Sequence, residues 1–189
     1  AQNTTALTSG QNNIVIGLNA RTNAANSNNA IVMGEAVSGQ ANNNFSFGVG
    51  PTDSNIVFGA TSITAPSDER YKEDITTSTA GLSFINDLRP VTFKWKKEKD
   101  VPTNSDSYVE DSDTRVMLSN GETNHGFIAQ EVKTVIDNHP EIKDGFRMWA
   151  EQEGADKRQR LGSTELIPIL VKAIQELSAK NDALEARIA

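Results

Sequence analysis

A short motif recurs four times in the opening third of the chain, and it dictates what can fold there. It reads Asn13-Ile14-Val15-Ile16-Gly17, then Asn29-Ala30-Ile31-Val32-Met33-Gly34, then Asn44-Phe45-Ser46-Phe47-Gly48, then Asn55-Ile56-Val57-Phe58-Gly59. Each copy sets a short β-branched or aromatic strand between an asparagine and a glycine, residues that tolerate positive φ and so favour turns. One strand of this length cannot bury its own apolar side chains. Stacked copies can, as in a β-solenoid or β-prism. The glycine spacings shrink from 17 to 14 to 11, so the repeat is irregular. Residues 1–66 hold only three charges, Arg21, Glu35 and Asp53, and only three aromatics, a thin core for one chain alone. The segment therefore reads as the end of an elongated stalk, intertwined with identical chains. The plain alternative is an Asn-rich flexible linker, which the four matched apolar runs oppose.

Composition changes sharply at Ala65-Pro66-Ser67-Asp68: twelve asparagines precede position 67 and six follow it. Such a break marks a domain boundary, with the stalk segment at 1–66 and a second domain at 67–189. The second domain reads as α+β. Ser78 is a candidate cap for a helix through about Leu88, stopped by Pro90. Val91-Thr92-Phe93-Lys94-Trp95-Lys96 alternates apolar and polar, a strand with one buried face. Residues 99–113 are acidic and turn-rich: a solvated excursion, or one that wraps the stalk end. Val116-Met117-Leu118 predicts a strand and Asn120-Gly121 a turn. Gly126-Phe127-Ile128 leads into a helix over 129–138, ended by Pro140. Phe146-Arg147-Met148-Trp149 predicts another short strand.

The last stretch, 163–188, has heptad order. Ile167, Ile174, Asn181 and Ile188 are seven apart; Leu170, Leu177 and Leu184 repeat at the same interval, offset by three. That is the a/d seam of a long coiled-coil helix. Pro168 fits only in its first turn, with Ser163 or Thr164 as the cap. The seam predicts self-association, and Ile at a, Leu at d and one Asn at a lean towards parallel dimers. The alternative is an amphipathic helix packed on its own domain.

Several function classes lose support. No apolar run is long enough to cross a membrane, and the polar, uncharged start is unlike a secretory leader. Zero cysteines exclude disulfides, thiolate metal sites and a cysteine nucleophile. A net charge of −7 without a basic run disfavours nucleic acid. Glycine-rich phosphate loops are absent, so no cofactor is expected. His125 and His139 lack metal-ligand spacing, and Asp111-Ser112-Asp113-Thr114-Arg115 lacks the glycine of a calcium loop. Trp95 and Trp149 leave a carbohydrate-binding tip as a competitor, although Trp95 suits a core strand better.

Ser67-Asp68-Glu69-Arg70-Tyr71-Lys72 sits at the compositional break. Taken alone it is an ordinary element start, with Ser67 as cap and Arg70 and Lys72 as solvated charge. With its continuation Glu73-Asp74-Ile75 it resembles the opening motif of the S74 peptidase family, the C-terminal intramolecular chaperone domains of bacteriophage tailspikes and tail fibres. Three more blocks resemble that family in order: Leu88-Arg89-Pro90-Val91-Thr92-Phe93-Lys94-Trp95-Lys96, His125-Gly126-Phe127-Ile128-Ala129-Gln130-Glu131-Val132, and the helix from Leu166 to Leu177. The resemblance covers 67–189 and departs at Tyr71, where an aliphatic residue is usual.

The resemblance implies a homotrimer whose chaperone domain guides its own stalk to fold and then leaves. It further implies folding and cleavage in the host cytoplasm, and a stalk that stays in the virion for host attachment. It places the catalytic pair at Ser67 and Lys72 and the cut at Pro66–Ser67. A serine hydroxyl is a weak nucleophile until a base takes its proton. A lysine serves as that base only when neutral, which burial promotes. Arg70 would help by like-charge repulsion, while Asp68 and Glu69 would oppose it. Arg70 and His125 are candidate oxyanion donors. Residues five apart do not share a helix face and point to opposite sides of a strand. Ser67 and Lys72 of one chain therefore meet only through a turn; otherwise Lys72 serves a neighbouring chain. Pro66 restrains the residue whose carbonyl is attacked. The alternative to cleavage is a trimerisation cap that stays attached.

Overall fold

A computed structural model describes residues 8–117, 121–154 and 156–188. The chain divides into two compact units, Ala1–Ile75 and Thr76–Ala189. The structural division thus falls after Ile75, and the motif at the compositional break belongs to the first unit. The protein is a small α+β chain with several small sheets and a long C-terminal helix.

All four repeat runs of the first unit become strands of one sheet: β1 (Ile14–Ile16), β2 (Ala30–Glu35), β3 (Asn44–Val49) and β4 (Ser54–Val57), in that order. The first three are parallel, in register Ile14–Ile31–Phe45 and Ile16–Met33–Phe47. Glycines recur at the strand ends because the stacked backbones leave no room there. Gly17, Gly34 and Gly48 have φ of +128, +131 and +139. A Cβ at Gly17 would lie 2.0 Å from the Gly34 carbonyl oxygen, and one at Gly34 only 1.9 Å from that of Gly48. Asparagines have a matching role, although in the first and third copies it falls to the residue before the motif's Asn13 and Asn44. Asn12, Asn29 and Asn43 are left-handed, with φ of 58, 55 and 54. Their amides form a ladder, Asn12 Nδ2 donating to Asn29 Oδ1 at 3.2 Å and Asn29 Nδ2 to Asn43 Oδ1 at 2.9 Å.

The fourth run departs from the predicted stacking. It pairs antiparallel with β3, Phe45 opposite Ile56, because the short Gly50–Asp53 link is a hairpin and too short for a parallel crossover. The irregular spacing also has a location. Arg21 bridges Ser38, so the additional residues of the longer first repeat lie between Thr22 and Asn28. There Ser27 is buried and its hydroxyl donates to Asn23 Oδ1 at 2.7 Å.

The sheet is unusual in which face it hides. Its inner face holds Val32 and Ala30 but also Asn44 and Ser46, all buried. These polar groups are satisfied: Ser46 Oγ donates to Asn44 Oδ1 at 2.9 Å, and Asn44 Nδ2 to Asn55 Oδ1 at 3.0 Å. Ile14, Ile16 and Met33 are exposed on the outer face, with Ile31, Phe45, Phe47 and Ile56 half-buried beside them.

In the second unit, α1 (Leu82–Asp87), α2 (Ala129–Asn138) and α3 (Leu166–Ile188) surround a core of Phe84, Leu88, Val132, Ile136, Met148, Leu166 and Ile169. Two hairpins accompany them: β5 (Val91–Phe93) with β6 (Asn124–Gly126), and β7 (Trp149–Glu151) with β8 (Gln159–Leu161). α2 has the predicted bounds. α1 starts later than predicted: Ser78 caps nothing helical, and the Leu82 amide donates instead to Glu176 Oε2 of α3 at 2.9 Å. Regular pairing in β5 stops at Phe93, though burial alternates as far as Lys96. Val116 and Met117 form a bend rather than a strand, while Leu118 and Asn120 lie outside the described residues. β7 begins at Trp149, so Phe146 and Met148 are core-packed but not strand. The excursion between Lys97 and Arg115 is fastened at its base, where Lys97 and Lys99 both bind Asp113 and hold its carboxyl down to about 2.

His139, at the end of α2, is buried between two carboxylates. Nδ1 lies 2.8 Å from Glu141 Oε1 and Nε2 2.9 Å from Asp87 Oδ2, with the ring edge-on to Phe84. Ionised carboxylates only accept, so both ring nitrogens donate and the imidazole is a cation. Glu141 first and Asp87 second raise its pKa above 6.5, and His139 lowers that of Glu141 below 4.5. The histidine's contribution is full below its unfolded pKa and is lost as pH rises through the raised folded value. That of Glu141 is lost as pH falls through its depressed value. The second unit is therefore expected to be most stable between pH 4.5 and 6.5. Its melting temperature should fall by about 2–5 °C as the histidine deprotonates. Thermal melts at pH 5 to 8.5 check this, and His139→Gln should flatten the slope.

Candidate functional site

Every residue from 61 to 79 is exposed, including Ile63, Tyr71 and Ile75. Within this stretch the backbone makes one 3-10 turn, Glu69–Tyr71. Asp68 is its cap, not Ser67: Asp68 Oδ1 accepts from the Arg70 backbone amide at 2.9 Å. The turn closes with Tyr71 N donating to Asp68 O at 3.1 Å and Lys72 N to Glu69 O at 2.9 Å. An aspartate ahead of a turn is the ordinary signal for such a cap, so the cap falls one residue after the expected Ser67.

This turn overcomes the spacing problem. Lys72 Nζ donates to Ser67 Oγ at 2.8 Å within one chain. The Arg70 side chain turns to Asp68. Its Nε donates to both Asp68 oxygens, at 3.1 and 3.0 Å, and its Nη2 also binds Oδ2. The guanidinium holds the Asp68 carboxyl below the usual carboxylate range, and the carboxylate raises the arginine in turn. Arg70 is thus engaged as a partner of Asp68. Pro66 is exposed beside Ser67. His125 lies in β6, opposite Thr92 and exposed, within the second unit.

The heptad seam stands apart from the helix's own packing. Leu166, Ile169 and Ala173 of α3 are buried. Ile167, Leu170, Ile174, Leu177, Asn181, Leu184 and Ile188 are all exposed, Ile174 at 65% and Ile188 at 85%. Pro168 sits in the first turn, where its missing N–H costs nothing. Both tryptophans have internal roles. Trp95 packs edge-on to Phe93, and Trp149 Nε1 donates to Gln159 Oε1 at 3.0 Å under the Lys133 ammonium. Among the described residues, no helix is long and apolar enough to cross a membrane.

Residues 67–139 match the family model Peptidase_S74, described as chaperone of endosialidase. The match begins at Ser67 and includes the turn, β5, β6 and α2; α3 lies beyond it. The family's description supports a chaperone role, and its name places it among peptidases. No significant similarity to a curated protein or to a solved structure accompanies this match.

Proposed function

On the premise that residues 67–139 carry a chaperone-of-endosialidase domain, we propose that this chain is the end of a phage fibre or tailspike stalk joined to its own intramolecular chaperone. The chaperone draws three chains together, lets the repeat segment close as an intertwined solenoid-like stalk, and then cuts itself free at Pro66–Ser67. The stalk goes to the virion, and folding and cutting take place in the host cytoplasm. The observation that carries the cut is the 2.8 Å contact between Lys72 Nζ and Ser67 Oγ.

The chemistry balances with these groups alone. Neutral Lys72 takes the Ser67 hydroxyl proton as Oγ attacks the Pro66 carbonyl carbon. The C–N bond breaks, the proton passes to the freed Ser67 amine, and Pro66 is left as an ester on Oγ. Water then hydrolyses the ester. Burial disfavours an ammonium, yet residues 61–79 are open in a single chain. Neighbouring chains covering this stretch would turn Lys72 into a base, so assembly licenses the cut. Apolar surfaces exposed among the described residues support assembly: the α3 seam and the outer face of the first sheet. In an intertwined stalk, registration precedes reward, and tethered ends raise effective concentration. The openness of the pair also favours a second reading, a trimerisation cap that never cuts.

Intact mass on freshly made protein separates the two. The expected result is a 123-residue fragment, Ser67 to Ala189, forming faster as concentration rises. A trimer that stays whole would establish the attached cap. Dilute monomers cutting at full rate would overturn control by assembly.

A further inference from the structure

The turn that joins Ser67 to Lys72 is exposed along its whole length, so no packing holds it. A single 3-10 turn has poor hydrogen-bond geometry by itself. What holds it is local: one carboxylate, Asp68, takes three donors from one residue, the Arg70 backbone amide, Nε and Nη2. Asp68 is the chain neighbour of Ser67, to which the Lys72 ammonium already reaches back across the turn. An unoccupied Asp68 carboxylate would be a far stronger acceptor for that ammonium than a serine hydroxyl. In the structure both Asp68 oxygens are taken by Arg70, and Lys72 turns to Ser67.

We infer that Asp68 and Arg70 are positioning residues for the cut: Asp68 folds the turn, and Arg70 masks the Asp68 carboxylate so that Lys72 reaches Ser67. This rests on the reading of Ser67 and Lys72 as the cleaving pair. Arg70 therefore acts by occupying a rival acceptor, not by repelling Lys72. The two roles separate by substitution. Asparagine caps as well as aspartate but carries no charge to capture a lysine.

The test is a set of full-length chains followed by intact mass. Arg70→Gln is expected to slow cutting about tenfold, because the bared carboxylate takes Lys72. Asp68→Ala is expected to slow it about tenfold by losing the cap. Asp68→Asn combined with Arg70→Gln should recover to within about threefold of wild type. A merely structural pair would give a double variant no better than either single one, and that result overturns the inference. So does an Arg70→Gln chain that cuts at the wild-type rate. A second readout needs no cleavage. In dilute, uncut monomer the Ser67 β-methylene should show an NOE to the Lys72 ε-methylene. Adding Arg70→Gln should abolish it, and adding Asp68→Asn as well should restore it. An NOE indifferent to Arg70→Gln overturns the inference even in a chain that cuts. The expected NOE pattern in a wild type that never cuts would uphold the positioning and refute only the cleavage.

Discussion

Replacing Ser67 with alanine is expected to leave the chain whole under conditions where the wild type yields the 123-residue fragment. No other nucleophile is placed to do the same work, since the attacking oxygen belongs to the residue that follows the cut bond. Lys72→Ala removes the base instead, and general-base loss is worth about 10²–10⁴ in rate. The sharper variant is Lys72→Arg. It keeps the positive charge and can still donate to Ser67, but a guanidinium does not give up its proton in proteins. If Lys72 is a base, Lys72→Arg is as dead as Lys72→Ala. If Lys72 only orients Ser67 by donating, Lys72→Arg retains activity and the mechanism is wrong. Intact mass over several days, with light scattering to show unchanged association, decides between them.

The second large effect belongs to the first unit. Gly34→Ala is expected to destabilise the sheet by about 3 kcal/mol or more. The new Cβ would stand 1.9 Å from a backbone oxygen of the next strand, at a φ of +131 that side chains rarely adopt. Backbone cannot swing aside as a flexible side chain can, so β2 and β3 must separate. Hydrogen exchange locates the damage: amides of β2 and β3 should lose protection while those of α1 and α2 keep it. Ala36→Gly, two residues on, should do the reverse. Ala36 has a φ of +56, and relieving a left-handed alanine is worth about 1 kcal/mol. Equal urea midpoints for Gly34→Ala and wild type would sink the argument that these glycines are fixed by stacking.

These particulars show which parts of the fold a sequence carries openly. The repeat runs became strands because asparagine and glycine at their ends report backbone φ, a local property. α2 matched its predicted span because its apolar period and Pro140 are equally local. Pairing direction in β4 was hidden in the length of the link before it, which the motif did not include. The start of α1 was hidden for a different reason. Its cap is the carboxylate of Glu176, 94 residues away, and no local pattern announces such a partner. β8, Gln-Arg-Leu, has no strand signature at all and exists through its pairing with β7. At the candidate site, the need for a turn between Ser67 and Lys72 followed from spacing alone. That Asp68 caps it and that Arg70 is occupied there did not, because charge and spacing do not encode which donors a carboxylate accepts.

The placement of the extra residues in the first repeat sets rules for how such a segment can change length. They sit in the corner between Thr22 and Asn28, around the Ser27 hydroxyl, and leave the strand register untouched. Corners of this kind absorb insertions at small cost in closure entropy. The strands do not. Deleting Ala30 while Asn29 stays in its ladder would turn Ile31 and Met33 inward and drive Val32 to the outside. Kin of this segment should therefore differ by indels at the corners, while the distance from the left-handed asparagine (Asn12, Asn29, Asn43) to the glycine (Gly17, Gly34, Gly48) of each parallel strand stays constant.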